Sequence, residues 1–455
     1  MRDISPFYTK DGSVGLYSSA DNDIYHSVYG AYSEAYDKFI LPANFGEFLK
    51  NNKEIKILDI CFGIGYNTKS FLNYFLENFS QKNFKYFNPL TENIAPIHTD
   101  NISNSTSNDS IYTNNILNKK NTINEINKIS EEDDSNLENH VDEKLEHLKN
   151  GYNIKIDVVD TNEVLMKASA LFNTRRKLFF NNKIGIKSVD KYLLQKSPNK
   201  HKYKMSVEAN MIIAINLIEQ YKDELFTNDV KSFLKDKKFK PFLSKNMLNF
   251  MRFYQNERYN LSSEENNLAF LHNIYYRYLS KSYKNTLKVL ENHEISINCI
   301  RGDAREVVKN SLERYDFIFL DGFTASKAPS LWTVDFFKQL YQRLSYDGKL
   351  LTYSNSSAVR SAMLKSNFYI GKIFNENENK FTGTIAVKNP DLIEHSLDKY
   401  ERGLLKTKAG IPFTDEFLTD SDKDIIYRRH KEVAESNLIS SSQYIKNFKE
   451  IQNEL

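Results

Sequence analysis

The 455-residue chain carries 62 Lys and Arg against 59 Asp and Glu, a net charge of +3, so its overall charge singles out no class of partner. With 40% hydrophobic residues and this length it can bury a sizeable core in two or three domains. Two cysteines exclude a disulfide framework and a cysteine-rich zinc site, and no run of 18 apolar residues offers a membrane span. Cys61 and Cys299 read as free thiols beside strand ends. The first residues lack the apolar core of a secretory leader, so a reduced, soluble, cytoplasmic protein is expected.

In chain order, residues 1–50 hold an alternating stretch around Val14 and Leu16, which predicts a small strand pair, and a helix over 33–49 interrupted near Pro42. Ile55, Ile57, Leu58 and Ile60 then form the short apolar run of a buried parallel strand. It leads into Phe62-Gly63-Ile64-Gly65-Tyr66-Asn67 and a helix over 68–79. Glycines at such a turn let backbone approach a ligand, and the following helix N-terminus welcomes its polar groups. The turn suits a dinucleotide or S-adenosylmethionine (SAM). Thr68 stands where a dinucleotide fingerprint places its third glycine.

Residues 88–150 contain 14 Asn and 12 acidic against 5 basic side chains, a composition that predicts a disordered low-complexity insertion. The fold resumes with a strand over 154–160, ending at Asp160, and a helix over 161–172. Residues 175–290 read as a helical basic insertion, with apolar faces at 211–218 and 268–274. Across 161–290 there are 24 Lys and Arg against 11 Asp and Glu, densest at 231–240, where Phe233 and Phe239 interleave; such a face suits a phosphate backbone. Strands over 295–300 and 315–320, a helix over 331–344, a strand over 349–354, a helix over 357–365 and strands over 368–373 and 382–387 follow. A tail with a helix over 421–435 ends the chain.

Asp160, Asp303 and Asp321 each end a predicted strand or its turn. In an open parallel sheet, ligands bind outside the carboxyl ends of the strands, so the three acids should line one cleft beside Gly63 and Gly65. One can hold ribose hydroxyls, one can accept from an adenine amino group, and Asp321 faces the reacting group.

Asp321-Gly322-Phe323-Thr324-Ala325-Ser326-Lys327-Ala328-Pro329-Ser330-Leu331-Trp332 resembles the D-G/A-F-x-x-x-K-x-P-x-x-W signature of the tRNA 5-methylaminomethyl-2-thiouridine methyltransferases, the MnmC methyltransferase domain and its stand-alone relatives. The segment 62–67 is similar to that family's F-G-x-G-x-N turn, and Gly302-Asp303-Ala304 to its G-D-A segment. Leu351-Thr352-Tyr353-Ser354 with Val359-Arg360 resembles its T-Y-S…V-R segment. Tyr17-Ser18, Tyr25-His26-Ser27 and Glu34 resemble its N-terminal signature. The departures are the two insertions, and Thr324, Ala325 and Ala328, where Ala, Pro and Asn are commoner.

The resemblance implies an α/β, Rossmann-like class I SAM-dependent methyltransferase with a mostly parallel sheet. Its parts would be 1–87, 151–174 and 291–390, split by the insertions 88–150 and 175–290 and followed by the tail 391–455. It implies SAM as methyl donor, with no metal and no FAD. The donor would be held by Asp59, Phe62, Gly63, Gly65, Asn67, Asp160, Asp303 and Ala304, with Asp321 catalytic. Tyr25, Glu34, Phe323, Lys327 and Trp332 would bind the substrate, a wobble uridine of tRNA bearing a 5-aminomethyl group. A separate tRNA-modification enzyme would supply that group. Rival readings are another SAM-type transferase, a small-molecule N-methyltransferase or an aminopropyltransferase, and a non-catalytic RNA-binding protein.

Overall fold

A computed structural model describes residues 3–20, 22–79, 151–173, 205–259 and 280–453. The Asn-rich stretch 88–150 and the helix expected over 268–274 lie outside them. Met1–Lys85 and Asn153–Leu455 cluster as one compact unit; 86–152 form a second, almost wholly outside the described residues.

The first unit is built on a seven-stranded sheet. Its strands are β4 (Glu54–Ile60), β5 (Asn153–Asp160), β6 (Glu294–Arg301), β7 (Tyr315–Leu320), β8 (Leu344–Thr352), β9 (Tyr369–Asn375) and β10 (Lys380–Val387), in the order β6-β5-β4-β7-β8-β10-β9. The first five run parallel; β10 is antiparallel to both its neighbours. This is the expected Rossmann-like architecture. Ile55, Ile57, Leu58 and Ile60 are buried, as a central parallel strand covered on both faces requires. β4 pairs with β5 on one side and β7 on the other, so the strand order reverses there and opens a crevice at the carboxyl ends.

The helix Val207–Tyr221 occupies the crossover between β5 and β6. It is apolar nearly all round, with Met211, Ile212, Ile213, Ala214, Leu217 and Ile218 buried. Two of its amides cover the sheet edge. Asn216 Oδ1 accepts from Ile297 N at 2.9 Å, while Gln220 accepts from Cys299 N at 2.8 Å and donates to Cys299 O at 2.7 Å. Backbone groups that an edge strand would leave open are thus paired by side chains. This part of the stretch read as a basic insertion belongs to the main core.

A three-stranded sheet, β1 (Ile4–Tyr8), β2 (Val14–Ser18) and β3 (Asp23–Ile24), packs on the first helix of the main fold; Val14 N donates to Tyr66 Oη at 2.7 Å. The sequence reading expected only a strand pair here. The helix expected over 33–49 is broken into Ala31–Ala35, a π turn Tyr36–Ile40, Leu41–Ala43 and Phe45–Asn51. The break falls at Asn44, which adopts the left-handed conformation (φ 56°), while Pro42 sits in the short turn before it. At the other end of the chain, Val334 N donates to Phe413 O at 2.9 Å and Ile425 is fully buried, so the tail packs on the main fold. Among the described residues no helix is long and apolar enough to cross a membrane.

Candidate active site

At the end of β4 the chain turns through Cys61, Gly63 and Gly65, all with positive φ (66°, 57° and 81°). Cys61 N and Phe62 N both donate to Val159 O, which carries the turn across the end of β5. The two glycines serve different ends. A Cβ on Gly65 would lie 2.5 Å from the Phe62 ring, so Gly65 makes room for packing inside the turn. A Cβ on Gly63 would meet only a Tyr25 ring carbon at 3.6 Å and the Cys61 carbonyl at 3.9 Å, both ordinary contacts, so this glycine keeps a cradle free. The helix Tyr66–Phe79 starts directly after Gly65, two residues earlier than the sequence reading placed it.

Asp160, at the end of β5, accepts from Gly63 N and Asn162 N, each at 2.7 Å. Burial raises its carboxyl above the usual carboxylate range, and those N–H groups oppose the rise. Asp303 caps the helix Ala304–Asn310 by accepting from Arg305 N at 2.8 Å. Asp321, after β7, accepts from Asn67 Nδ2 at 3.1 Å. Burial pushes its carboxyl up to about 7; the Glu34 charge adds to the rise, and the Asn67 hydrogen bond and Lys38 oppose it. Glu34 itself is fixed by Ser27 N and by an ion pair to Lys38.

These groups share one cleft of about 560 Å³, a size suited to a small-molecule ligand. Of the residues singled out from sequence, Tyr25, Glu34, Gly63, Asp160, Asp303, Ala304, Asp321, Phe323 and Lys327 line it. The rings of Tyr25 and Phe323 meet edge to face at 5.1 Å.

Asp59, Phe62, Gly65, Asn67 and Trp332 stand behind the lining. Asp59 is fully buried and accepts from Thr68 N (3.2 Å) and Thr68 Oγ1 (2.6 Å), so it holds the first turn of the helix. Burial raises its carboxyl to about 6. Asn67 reaches the cleft only through Asp321. Trp332 is fully buried, and its Nε1 donates to Phe323 O at 2.8 Å. This corrects the expectation that it binds the substrate: the indole braces the 321–332 loop from inside. The helix expected over 331–344 is accordingly a 3-10 turn, Pro329–Trp332, then a helix Val334–Arg343 capped by Thr333. Trp332→Phe should therefore cost about 1 kcal/mol of stability, the worth of one neutral hydrogen bond, in chemical denaturation. It should change ligand affinity less than twofold; a large affinity loss without destabilisation would restore Trp332 to the binding surface.

The cleft also contains residues the sequence reading left unassigned. His26 lines it, with its ring edge-on to Tyr66 at 4.9 Å and burial lowering its pKa to about 4. Tyr353 lines it and donates to Gly322 O at 2.8 Å. Both lie within motifs quoted above, and their aromatic character beside a strand end was the available signal. Asp422 comes from the tail and accepts from Ser330 N at 3.2 Å; nothing local in the sequence marks it. No cluster of metal-ligating side chains occurs among the described residues.

A family profile described as S-adenosyl-L-methionine-dependent methyltransferase matches residues 265–389. Over that stretch the chain is similar to the SAM-dependent methyltransferases. An uncharacterized protein of Methanocaldococcus jannaschii is 31% identical over 33% of this chain and 43% of its own length. Two proteins named tRNA 5-methylaminomethyl-2-thiouridine biosynthesis bifunctional protein MnmC are also similar. The one from Burkholderia vietnamiensis is 31% identical and the one from Pseudomonas entomophila 35% identical; each match covers 18% of this chain and 13% of the relative. The matches thus span less than half of each of these relatives. A solved structure titled "Crystal structure of MNMC2 from Aquifex Aeolicus" superposes at a TM-score of 0.45 with 16% identity, covering 95% of this chain and 84% of that one, too loosely to carry an argument.

The cleft itself fits SAM. The open space over Gly63 admits a close backbone approach, and the strand-end carboxylates offer acceptors for the hydroxyl and amino groups of an adenosine.

Proposed function

We propose that this methyltransferase transfers the methyl group of SAM to the nitrogen of a 5-aminomethyl group on the wobble uridine of tRNA. The observation that carries the reading is Asp321: a carboxylate with a pKa raised to about 7, held by Asn67 in the cleft that also contains the glycine turn. The substrate class is that in the names of the similar bacterial MnmC proteins.

In this reading Asp160 accepts from the ribose hydroxyls and Asp303 from the adenine amino group, with Gly63 leaving the backbone bare beneath the donor. When bound, SAM supplies a methyl already activated on a sulfonium. The protein's remaining task is to align a neutral amine and take its proton. Asp321 does both: its carboxylate orients the amine N–H groups and accepts a proton at a pKa matched to neutral pH. Tyr25, Phe323 and Lys327 at the mouth meet the uridine, the aromatics as stacking surfaces and the lysine as a cation toward base oxygen or phosphate. The aminomethyl group must be installed beforehand by a separate modification enzyme, and a tRNA substrate places the reaction in the cytoplasm.

RNA docking needs a local basic face, because the chain as a whole is nearly neutral. The segment 231–240 is the candidate. Lys231, Lys235, Lys237 and Lys240 are exposed, while Phe233 and Phe239 are buried beneath them. This segment lies against the N-terminal sheet: Tyr8 Oη donates to Pro241 O at 3.1 Å and its ring contacts Phe242 at 4.6 Å. The same sheet leads into Asp23, Tyr25 and His26 of the cleft. Reversing Lys235, Lys237, Lys238 and Lys240 to Glu should raise the KM for tRNA and leave SAM affinity unchanged. For every phosphate that the variant no longer neutralises, the log–log salt slope should flatten by about 0.7–0.9. An unaltered salt slope would reduce the run to a solvated helix face.

A further inference from the structure

The carboxylate assigned above to the adenine amino group does not stand alone. Asp303 is 43% exposed at its side chain, on the cleft wall, yet its geometry is fixed from behind. Arg305 N, Nε and Nη2 all donate to it, Nη2 at 2.7 Å. A carboxylate has about four acceptor sites, so three donors leave roughly one, and they dictate where that one points. Arg305 is only 12% exposed and turns its other nitrogen away from the cleft. Nη1 donates to Asp415 Oδ2 at 2.7 Å and to Asp420 O at 2.9 Å. Asp415 is fully buried. Its Oδ1 accepts from Thr419 N and Asp420 N, and its own N–H donates to Asp335 Oδ2 at 2.8 Å. Two residues after Asp420, Asp422 lines the same cleft and holds Ser330 N. Residues 415–422 lie beyond the 265–389 matched by the family profile.

We infer that Arg305 and the tail segment 415–422 form a positioning bridge that fixes Asp303 to recognise the amino group of the donor's adenine. The inference rests on the reading of the cleft as a SAM site. It makes the tail part of the donor site and Arg305 a residue acting through Asp303, not on the ligand. Arg305 holds the carboxylate with a planar, multidentate fork that no shorter or single-point donor reproduces. Asp415 supplies the buried counter-charge that keeps the fork turned inward.

The test compares two ligands on the full chain by calorimetry: S-adenosylhomocysteine, and S-inosylhomocysteine, which presents a 6-oxo group where adenine has its amino group. The unsubstituted protein should prefer the adenosyl ligand by about 10- to 150-fold, the worth of one charge-assisted hydrogen bond. Arg305→Gln keeps the backbone cap of Asp303 but frees the carboxylate. It should cut that preference below about threefold, chiefly by weakening the adenosyl ligand. Asp415→Asn, which touches Asp303 only through Arg305, should move the ratio the same way by a smaller factor. Arg305→Lys should restore part of the preference. Equal weakening of both ligands, in variants whose melting shows them folded, would mean that Arg305 merely staples the tail, and would overturn the bridge. So would an unchanged ratio in both Arg305→Gln and Asp415→Asn. A protein that binds both ligands equally before any substitution would contradict the role of Asp303 and the bridge with it. Failure to bind either would contradict the SAM site itself.

Discussion

Asp321→Ala is expected to abolish methyl transfer, lowering the single-turnover rate by about 100-fold or more, the usual worth of a positioned proton acceptor. S-adenosylhomocysteine affinity should change little, because Asp321 lies after β7 while the acceptors proposed for the adenosine, Asp160 and Asp303, lie at the end of β5 and in the turn after β6. Asp321→Asn should be nearly as slow. It can still orient an amine but cannot take a proton. The pH profile follows from the sign of the shift. The Asp321 carboxyl is raised to about 7 by burial and by Glu34, so its basic form is lost as pH falls through that value. Activity should therefore drop on the acid side near pH 7, well above the range of an ordinary aspartate. Glu34→Gln removes a neighbouring negative charge and should move that limb to lower pH. Retention of a near-normal single-turnover rate in Asp321→Ala would remove Asp321 from the chemistry.

The second large effect is expected at Gly63. Its φ of 57° costs an L side chain about 1–2 kcal/mol, and valine, branched at Cβ, suffers most. The valine methyls would also fill the open space beside Tyr25. Any relaxation that relieves this must move Gly63 N from Asp160 Oδ2, to which it donates at 2.7 Å, and so disturb the proposed ribose acceptor. Gly63→Val should raise the Kd for S-adenosylhomocysteine by about 10- to 150-fold, the equivalent of one charge-assisted hydrogen bond. Asp160→Ala should give a loss of the same order. Gly65→Val offers the contrast: its Cβ would strike the Phe62 ring at 2.5 Å, so it should lower thermal stability as well as affinity. Unchanged affinity in both Gly63→Val and Asp160→Ala would contradict the cleft as a donor site.

The parts of the fold that were legible in the sequence are those written in local pattern. The apolar runs of β4, β5, β6 and β7, and the acids at or just after the ends of the last three, announce a parallel sheet with a cleft at the carboxyl ends of its strands. The glycines announce the turn. Trp332 was misplaced because an exposed binding indole and a buried bracing one share the same local sequence; its partner, the Phe323 carbonyl, depends on a loop path that periodicity does not encode. The helix Val207–Tyr221 was read as part of an insertion because its role is set by Ile297 and Cys299, about 80 residues away, whose N–H groups meet Asn216 and Gln220. The same holds for Arg305 and Asp415, 110 residues apart: neither carries a motif, and only the folded tail brings them together. The lysines at 231–240 were legible as a charged run, whereas their position beside the N-terminal sheet emerged from the Tyr8–Pro241 hydrogen bond.

The most direct measurement of the central reading is a nucleoside analysis. The full chain is incubated with SAM carrying a labelled methyl group and with tRNA from cells that make the 5-aminomethyl uridine but cannot methylate it. The tRNA is then digested to nucleosides and separated by liquid chromatography with mass detection. The expected result is label in 5-methylaminomethyl uridine, with or without the 2-thio group, at the expense of the aminomethyl precursor, and none with Asp321→Ala. Label in another nucleoside, or no label in tRNA while the protein binds S-adenosylhomocysteine, would contradict the assigned substrate.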